Sequence, residues 1–297
     1  MRGISCLALL LVTLASRVQS QESDSGVQAV LANGYRFAYV ESGSGRSVIL
    51  VHGALGDYRS WDSLLEAGQP SARLIAYSRR YHAPNPWRPD DPPSSYETSA
   101  SDLAAIIRAL RLDRPVLVGY SWGGGVALQV AIRFPGLVGG LVLAEPVADS
   151  MIENPADRTS SAARTRATYA EALAQDPDRQ PESAVRTLIE AWRGAGAWSR
   201  LSAPEREQLL ENAHSIQSSA APQPALSCAA VGALGIPVLL VGAESSTPRF
   251  HDALDGLARC LPATERVTIP SAGHDFPRTH AAEFGTILAH FLRALPD

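Results

Sequence analysis

Apolar and polar positions alternate along YRFAYVES (35–42) with the period of two that marks a half-buried strand. Further along, alternation gives way to unbroken apolar runs. SVILVHG (47–53), RLIAYSR (73–79), PVLVGYS (115–121), GLVLAEP (140–146) and IPVLLVGAE (236–244) read as strands buried on both faces, and TERVTIP (264–270) as one more strand. Between them the spacing turns helical. YETSASDLAAIIRALRL (96–112) has Thr98 or Ser99 as its cap, and GGGVALQVAIRFP (123–135) is stopped by Pro135. HDALDGLARCL (251–261) and AAEFGTILAHFLRAL (281–295) complete the set. From Val147 to about Gly235 no strand pattern appears. Alanine-rich helical stretches near 162–175, 181–195 and 203–218 are separated there by prolines and glycines. Alternating strands and helices predict an α/β fold, a mostly parallel central sheet flanked by helices, with a helical cap inserted into it. The expected division is a core in two parts, 21–146 and 236–297, around a cap at 147–235.

The first twenty residues stand apart. Arg2 precedes the apolar run CLALLLVTLA (6–15), and RVQS (17–20) ends in a small residue before polar QESDSG. This reads as an export signal, residues 1–20, and is too short to span a bilayer. Cys6 inside the run has no small-residue lipidation context. The expected location is therefore the periplasm or the exterior, with no membrane span after signal removal.

Charge changes the picture by exclusion. All 26 basic residues are arginine, so Schiff-base chemistry and a P-loop, both of which need lysine, are ruled out. A net charge of −4, or −6 once Arg2 and Arg17 leave with the signal, offers no basic stripe for nucleic acid. No cysteine/histidine or paired-carboxylate cluster has metal-ligand spacing, so neither metal nor cofactor is implied. The expected partner is a small-molecule substrate.

The candidate chemistry sits where strand meets helix. In VGYSWGGG (118–125) a serine lies between glycines, a G-x-S-x-G turn that lifts the Ser121 hydroxyl above the sheet. With VHGAL (51–55) before it and SAGHDF (271–276) after it, the mature chain resembles the α/β-hydrolase fold superfamily, in its serine-nucleophile branch. The resemblance implies Ser121 as nucleophile and His274 as base, with backbone N–H groups of Ala54 and Trp122 as the oxyanion hole. Other histidines have weaker settings. His52 belongs to the oxyanion loop and holds backbone geometry, His82 lies in a proline-rich loop, and His214, His251, His280 and His290 fall on expected helices.

The acid has two candidates. The superfamily's usual aspartate position after the strand at 236–241 holds Ser245, with Glu244 one residue early. Its second solution, an acid closing the strand after the nucleophile helix, is met by Glu145. An ionisable group ending a buried strand is costly unless paired, which favours Glu145, with Glu244 as the alternative. A capping role for Glu145 toward the inserted helices is the structural alternative. Asp275 is too close to His274 in sequence to orient it.

Trp87 and Tyr81, in RRYHAPNPWRPDDPP (79–93), either line the pocket or belong to a rigid surface loop. Trp192 and Trp198 read as packing between cap helices, with an apolar acyl site as the alternative. Cys228 and Cys260 are the two cysteines left after export, and a bridge between them is expected. The function expected is a serine hydrolase cleaving an ester, or an amide, through an acyl-enzyme. A cofactor-free haloperoxidase or perhydrolase, or a C–C bond hydrolase, uses the same residues. A non-catalytic ligand-binding relative is the remaining class.

Overall fold

A computed structural model describes residues 26–69, 71–261 and 264–296. The expected signal peptide and Cys6 lie outside the described residues. Eight strands form one sheet: β1 (Gln28–Ala32), β2 (Tyr35–Gly43), β3 (Arg46–Val51), β4 (Ala72–Tyr77), β5 (Val116–Tyr120), β6 (Gly140–Ala144), β7 (Val238–Ala243) and β8 (Glu265–Ile269). Their order is β1-β2-β4-β3-β5-β6-β7-β8. The first two pairings, β1 with β2 and β2 with β4, are antiparallel, and every other pairing is parallel.

The apolar runs follow from this placement. In β3, Ile49 and Val51 enter the core on one face while Val48 and Leu50 enter the core on the other, and Leu117 and Val118 divide the same way in β5. A strand covered on both sides has no polar face, so its sequence carries no alternation.

Twelve α-helices accompany the strands among the described residues, ten of them before β8 and two after it. They are α1 (Asp62–Ala67), α2 (Tyr96–Ala109), α3 (Trp122–Arg133), α4 (Pro155–Ala174), α5 (Pro181–Arg193), α6 (Ala197–Arg200), α7 (Ala203–Glu211), α8 (Ile216–Ser219), α9 (Cys228–Gly232), α10 (Pro248–Cys260), α11 (Phe276–Thr279) and α12 (Ala281–Ala294). Helices α2, α3 and α10 pack on one sheet face, and α12 with Trp61 and Leu64 on the other. All of α4 to α9 fall between β6 and β7; α4 to α8 build a separate apolar cluster that takes in Leu55 from the loop after β3, while Val231 of α9 joins the core on the face of α2 and α3. Among the described residues no helix is long and apolar enough to cross a membrane.

Several details differ from expectation. The cap of α2 is Ser95, whose side chain accepts from the Thr98 N–H at 3.1 Å, rather than Thr98 or Ser99. The stretch 203–218 is not one helix: α7 ends at Glu211, because the Asn212 amide turns inward to donate to Asp57 at 2.8 Å and accept from the Ala83 N–H at 2.8 Å. Strand β1, which the pattern did not suggest, pairs with β2 through the turn at Asn33 and Gly34, both at positive φ.

Cys228 and Cys260 are bridged, with Cα atoms 5.1 Å apart. The bridge ties α9, just before β7, to the end of α10.

Candidate active site

The carboxyl ends of the parallel strands face one cavity, and the backbone there is strained. Among the described residues ten non-glycine residues have positive φ, and five of them, Leu55, Tyr81, Ser121, Glu145 and Ser271, come just after β3, β4, β5, β6 and β8. Each such residue costs about 1–3 kcal/mol, and such strain gathers where geometry is needed for something other than stability.

Ser121 sits between β5 and α3 at φ 52°, ψ −117°. Its side chain caps no helix N–H, so the hydroxyl is free to point elsewhere. The turn requires its glycines: a Cβ on Gly119 would lie 2.6 Å from the Gly124 Cα, and one on Gly123 2.2 Å from the Val51 carbonyl. The α3 N-terminus, with its unpaired N–H groups and positive dipole end, opens directly behind the hydroxyl.

His274, in the loop after β8, brings its Nε2 to 3.0 Å from Ser121 Oγ. Its Nδ1 lies 2.6 Å from Glu145 Oε2. An ionised carboxylate only accepts, so Nδ1 carries the proton and Nε2 offers its lone pair to the serine. The ring lies flat against Phe250, centroids 3.9 Å apart and planes 12° from parallel. Burial pushes the imidazole below its usual 6.5, Glu145 pulls it back up, and Arg193 and Arg249 lower it again. A base so placed is neutral near pH 7.

Glu145 closes β6 at φ 42° and is fully buried. Its Oε1 accepts from the Ala243 N–H at 2.9 Å, and its Oε2 from Ser246 Oγ at 2.7 Å as well as from His274. The role of capping inserted helices does not arise, since every one of these donors lies in the loops after β7 and β8 or on β7 itself. Glu244, the alternative acid, is exposed and accepts instead from the Ser271 N–H at 2.7 Å.

Ala54 and Trp122 line the cavity with Ser121 and His274. Among the described residues neither backbone N–H donates to a partner in the fold. His52 is fully buried and fixed by its own loop, with Nδ1 2.9 Å from the Gly53 carbonyl and Nε2 accepting from the Arg79 N–H at 3.0 Å.

The cavity measures about 480 Å³ and is roofed by the helices between β6 and β7, through Tyr169, Ile189, Trp192 and Leu209. That is the size of a site for a compact organic molecule. The two cap tryptophans part company: Trp192 lines the cavity, while Trp198 packs within the helical layer. Trp87 and Tyr81 do not line it. Trp87 stacks on His214 at 4.2 Å and Tyr81 is buried against Tyr35, so their loop is a packed support. Ser246 and Phe250 are absent from the sequence reading, because nothing local marks them as neighbours of Glu145 and His274.

A serine bonded to an imidazole, itself bonded to a buried carboxylate, at the mouth of a parallel sheet defines a class. The sequence pattern of the alpha/beta hydrolase fold matches residues 46–281, and the chain belongs to that family. Its relatives differ in chemistry. A Bacillus subtilis protein provisionally named 2-succinyl-6-hydroxy-2,4-cyclohexadiene-1-carboxylate synthase is 27% identical over 91% of this chain and 99% of its own. A bromoperoxidase from Bacillus anthracis shares the fold at TM-score 0.71 and 21% identity, over 90% of this chain and 99% of its own. An esterase from Thermogutta terrifontis does so at TM-score 0.70 and 22% identity, over 90% of this chain and 98% of its own.

Proposed function

We propose that the protein is an exported serine hydrolase that cleaves an ester bond of a small to medium substrate through an acyl-enzyme. The observation that carries this reading is the unbroken hydrogen-bonded chain from Ser121 Oγ through His274 to Glu145, at 3.0 and 2.6 Å. In the first step His274 Nε2 takes the Ser121 proton as Oγ attacks the ester carbonyl. The backbone N–H groups of Ala54 and Trp122 receive the oxyanion, and the α3 N-terminus adds its positive end. His274 then returns the proton to the departing alcohol. Water enters, gives a proton to His274 and attacks the acyl carbon; as the acid leaves, His274 passes that proton to Ser121 Oγ, which restores the free serine and the neutral imidazole. Throughout, Glu145 holds the Nδ1–H tautomer and stabilises the imidazolium.

The roof over the cavity favours compact substrates over polymers. Export is supported by the signal-like residues 1–20 and by the Cys228–Cys260 bridge, since such bridges persist in oxidising compartments.

Fluorophosphonate labelling together with p-nitrophenyl esters of increasing acyl length tests the proposal. The expected result is labelling at Ser121, absent in Ser121→Ala, and turnover that declines for long acyl chains. A folded wild-type protein that neither labels nor turns over any ester refutes it. Labelling without ester turnover directs attention to peracid formation or C–C cleavage on the same residues.

A further inference from the structure

Against the Gly53 carbonyl and the Trp122 ring lies a buried guanidinium with no carboxylate partner among the described residues. Arg79, in the loop after β4, is 2% exposed, and its Nε has no hydrogen-bond partner. Among the described residues no carboxylate pairs with it, and burial pushes the guanidinium down to about 10. An unpaired buried cation is costly to fold and calls for a reason.

Its contacts supply one. Arg79 Nη2 donates to the Gly53 carbonyl at 3.1 Å, which also accepts from His52 Nδ1 at 2.9 Å. That carbonyl and the Ala54 N–H belong to one planar trans peptide, so holding the C=O inward aims the N–H outward, into the cavity. The same guanidinium lies 4.1 Å from the centroid of the Trp122 indole. The Tyr96 ring stacks on that indole at 3.9 Å and 20°, and two flat groups this close to one centroid take opposite faces. The indole is thus clamped, with its Nε1 donating to the Ser219 carbonyl at 3.2 Å.

We propose that Arg79 is a positioning residue for acyl transfer: one guanidinium aims the Ala54 N–H through the Gly53 carbonyl and the Trp122 N–H through the indole. The planar fork suits both tasks at once, since it hydrogen-bonds at its edge and stacks through its face. A lysine ammonium has no face to stack. The inference rests on the serine-hydrolase reading for its kinetic consequence, while its geometric consequence stands without it.

Arg79→Met and Arg79→Lys, each crystallised and assayed with p-nitrophenyl acetate, test the proposal. Rates are counted per active site by fluorophosphonate titration. In the methionine variant the Gly53–Ala54 peptide is expected to rotate or shift, and kcat to fall about 100-fold with KM changed less than about threefold. Affinity for a trifluoromethyl ketone, which forms the tetrahedral adduct, should fall by the same factor. The lysine variant should regain no more than about a tenth of the loss. A merely structural role would lower Tm and the number of active sites while leaving kcat per site unchanged, and that result overturns the proposal. If wild type hydrolyses no ester, the serine-hydrolase reading falls, and peptide position alone decides: an unmoved Gly53–Ala54 peptide overturns the role of Arg79. If the methionine variant does not fold, the lysine variant is judged by the same criteria.

Discussion

Glu145 holds three donors on two oxygens, the Ala243 N–H, Ser246 Oγ and His274 Nδ1, and all three suit an ionised carboxylate. Glu145→Gln turns one oxygen into a donor facing donors. On the proposed mechanism kcat falls by about two to four orders of magnitude, at matched folding. The pH profile moves in a definite direction. On that mechanism activity requires neutral His274, so kcat/KM rises with pH through the imidazole pKa, which lies below 6.5 in the wild type. Glu145 is what pulls that pKa upward, so its loss shifts the acid limb to still lower pH. A limb that stays fixed or moves up contradicts the assignment. Glu244→Gln, which disturbs one contact with the Ser271 N–H, should leave kcat within about twofold, inside the range of ordinary surface changes. That Ser121, His274 and Glu145 come together was legible in the sequence because each has a local sign: a glycine-flanked turn, a late loop after a strand, an acid ending a buried run. Ser246, Phe250 and Arg79 have no such sign. Their roles depend on what the fold lays beside them.

Among elements, seven of the eight strands were legible because burial on two faces or one leaves a simple pattern. Strand β1 has three exposed residues out of five and lies at the sheet edge, so its own apolar pattern is weak. The Asn33–Gly34 pair was the available signal, since that dipeptide suits the two positive-φ positions of a tight hairpin. Helix α4 starts at Pro155, seven residues before the expected 162, because Asn154 caps it by accepting from the Ala156 N–H at 2.9 Å. The break after α7 was illegible, since it answers to Asp57, 155 residues away. The approach of α3 to β3 makes a sharp test of element packing. In Gly123→Ala the new methyl would meet the Val51 carbonyl at 2.2 Å, a backbone atom that cannot swing aside. The expected cost is above about 3 kcal/mol, or failure to fold, read by urea denaturation. A loss under about 1 kcal/mol would mean that α3 can slide along the sheet.

At the scale of the whole molecule, stability should depend on acid through its buried histidines. Burial holds His52 and His82 well below 6.5, and His274 below it, whereas an unfolded chain protonates them near that value. Below pH 6.5 the unfolded state therefore binds more protons than the folded one, and stability falls as pH falls. The slope contributed by each histidine approaches about 1.4 kcal/mol per pH unit. Urea midpoints at pH about 7.5 and about 5.5 measure it, and equal midpoints contradict it. The Cys228–Cys260 bridge closes a loop of sequence separation 32, and its removal in a Cys228→Ser/Cys260→Ser protein should cost about 3–4 kcal/mol. Its placement has a consequence beyond stability. Both roots of the helical layer fasten to α10. On leaving the sheet, Asp149 pairs with Arg249 at 2.7 Å, and Met151 packs so tightly on Gly256 that a Cβ there would lie 1.8 Å from its carbonyl oxygen. On returning, the chain is bolted to the far end of the same helix. Helix α10 also carries Phe250, the plate against which the imidazole rests. Both roots of the roof and the plate behind the imidazole thus belong to one shaft, so any displacement of α10 would carry the roof and the His274 ring together.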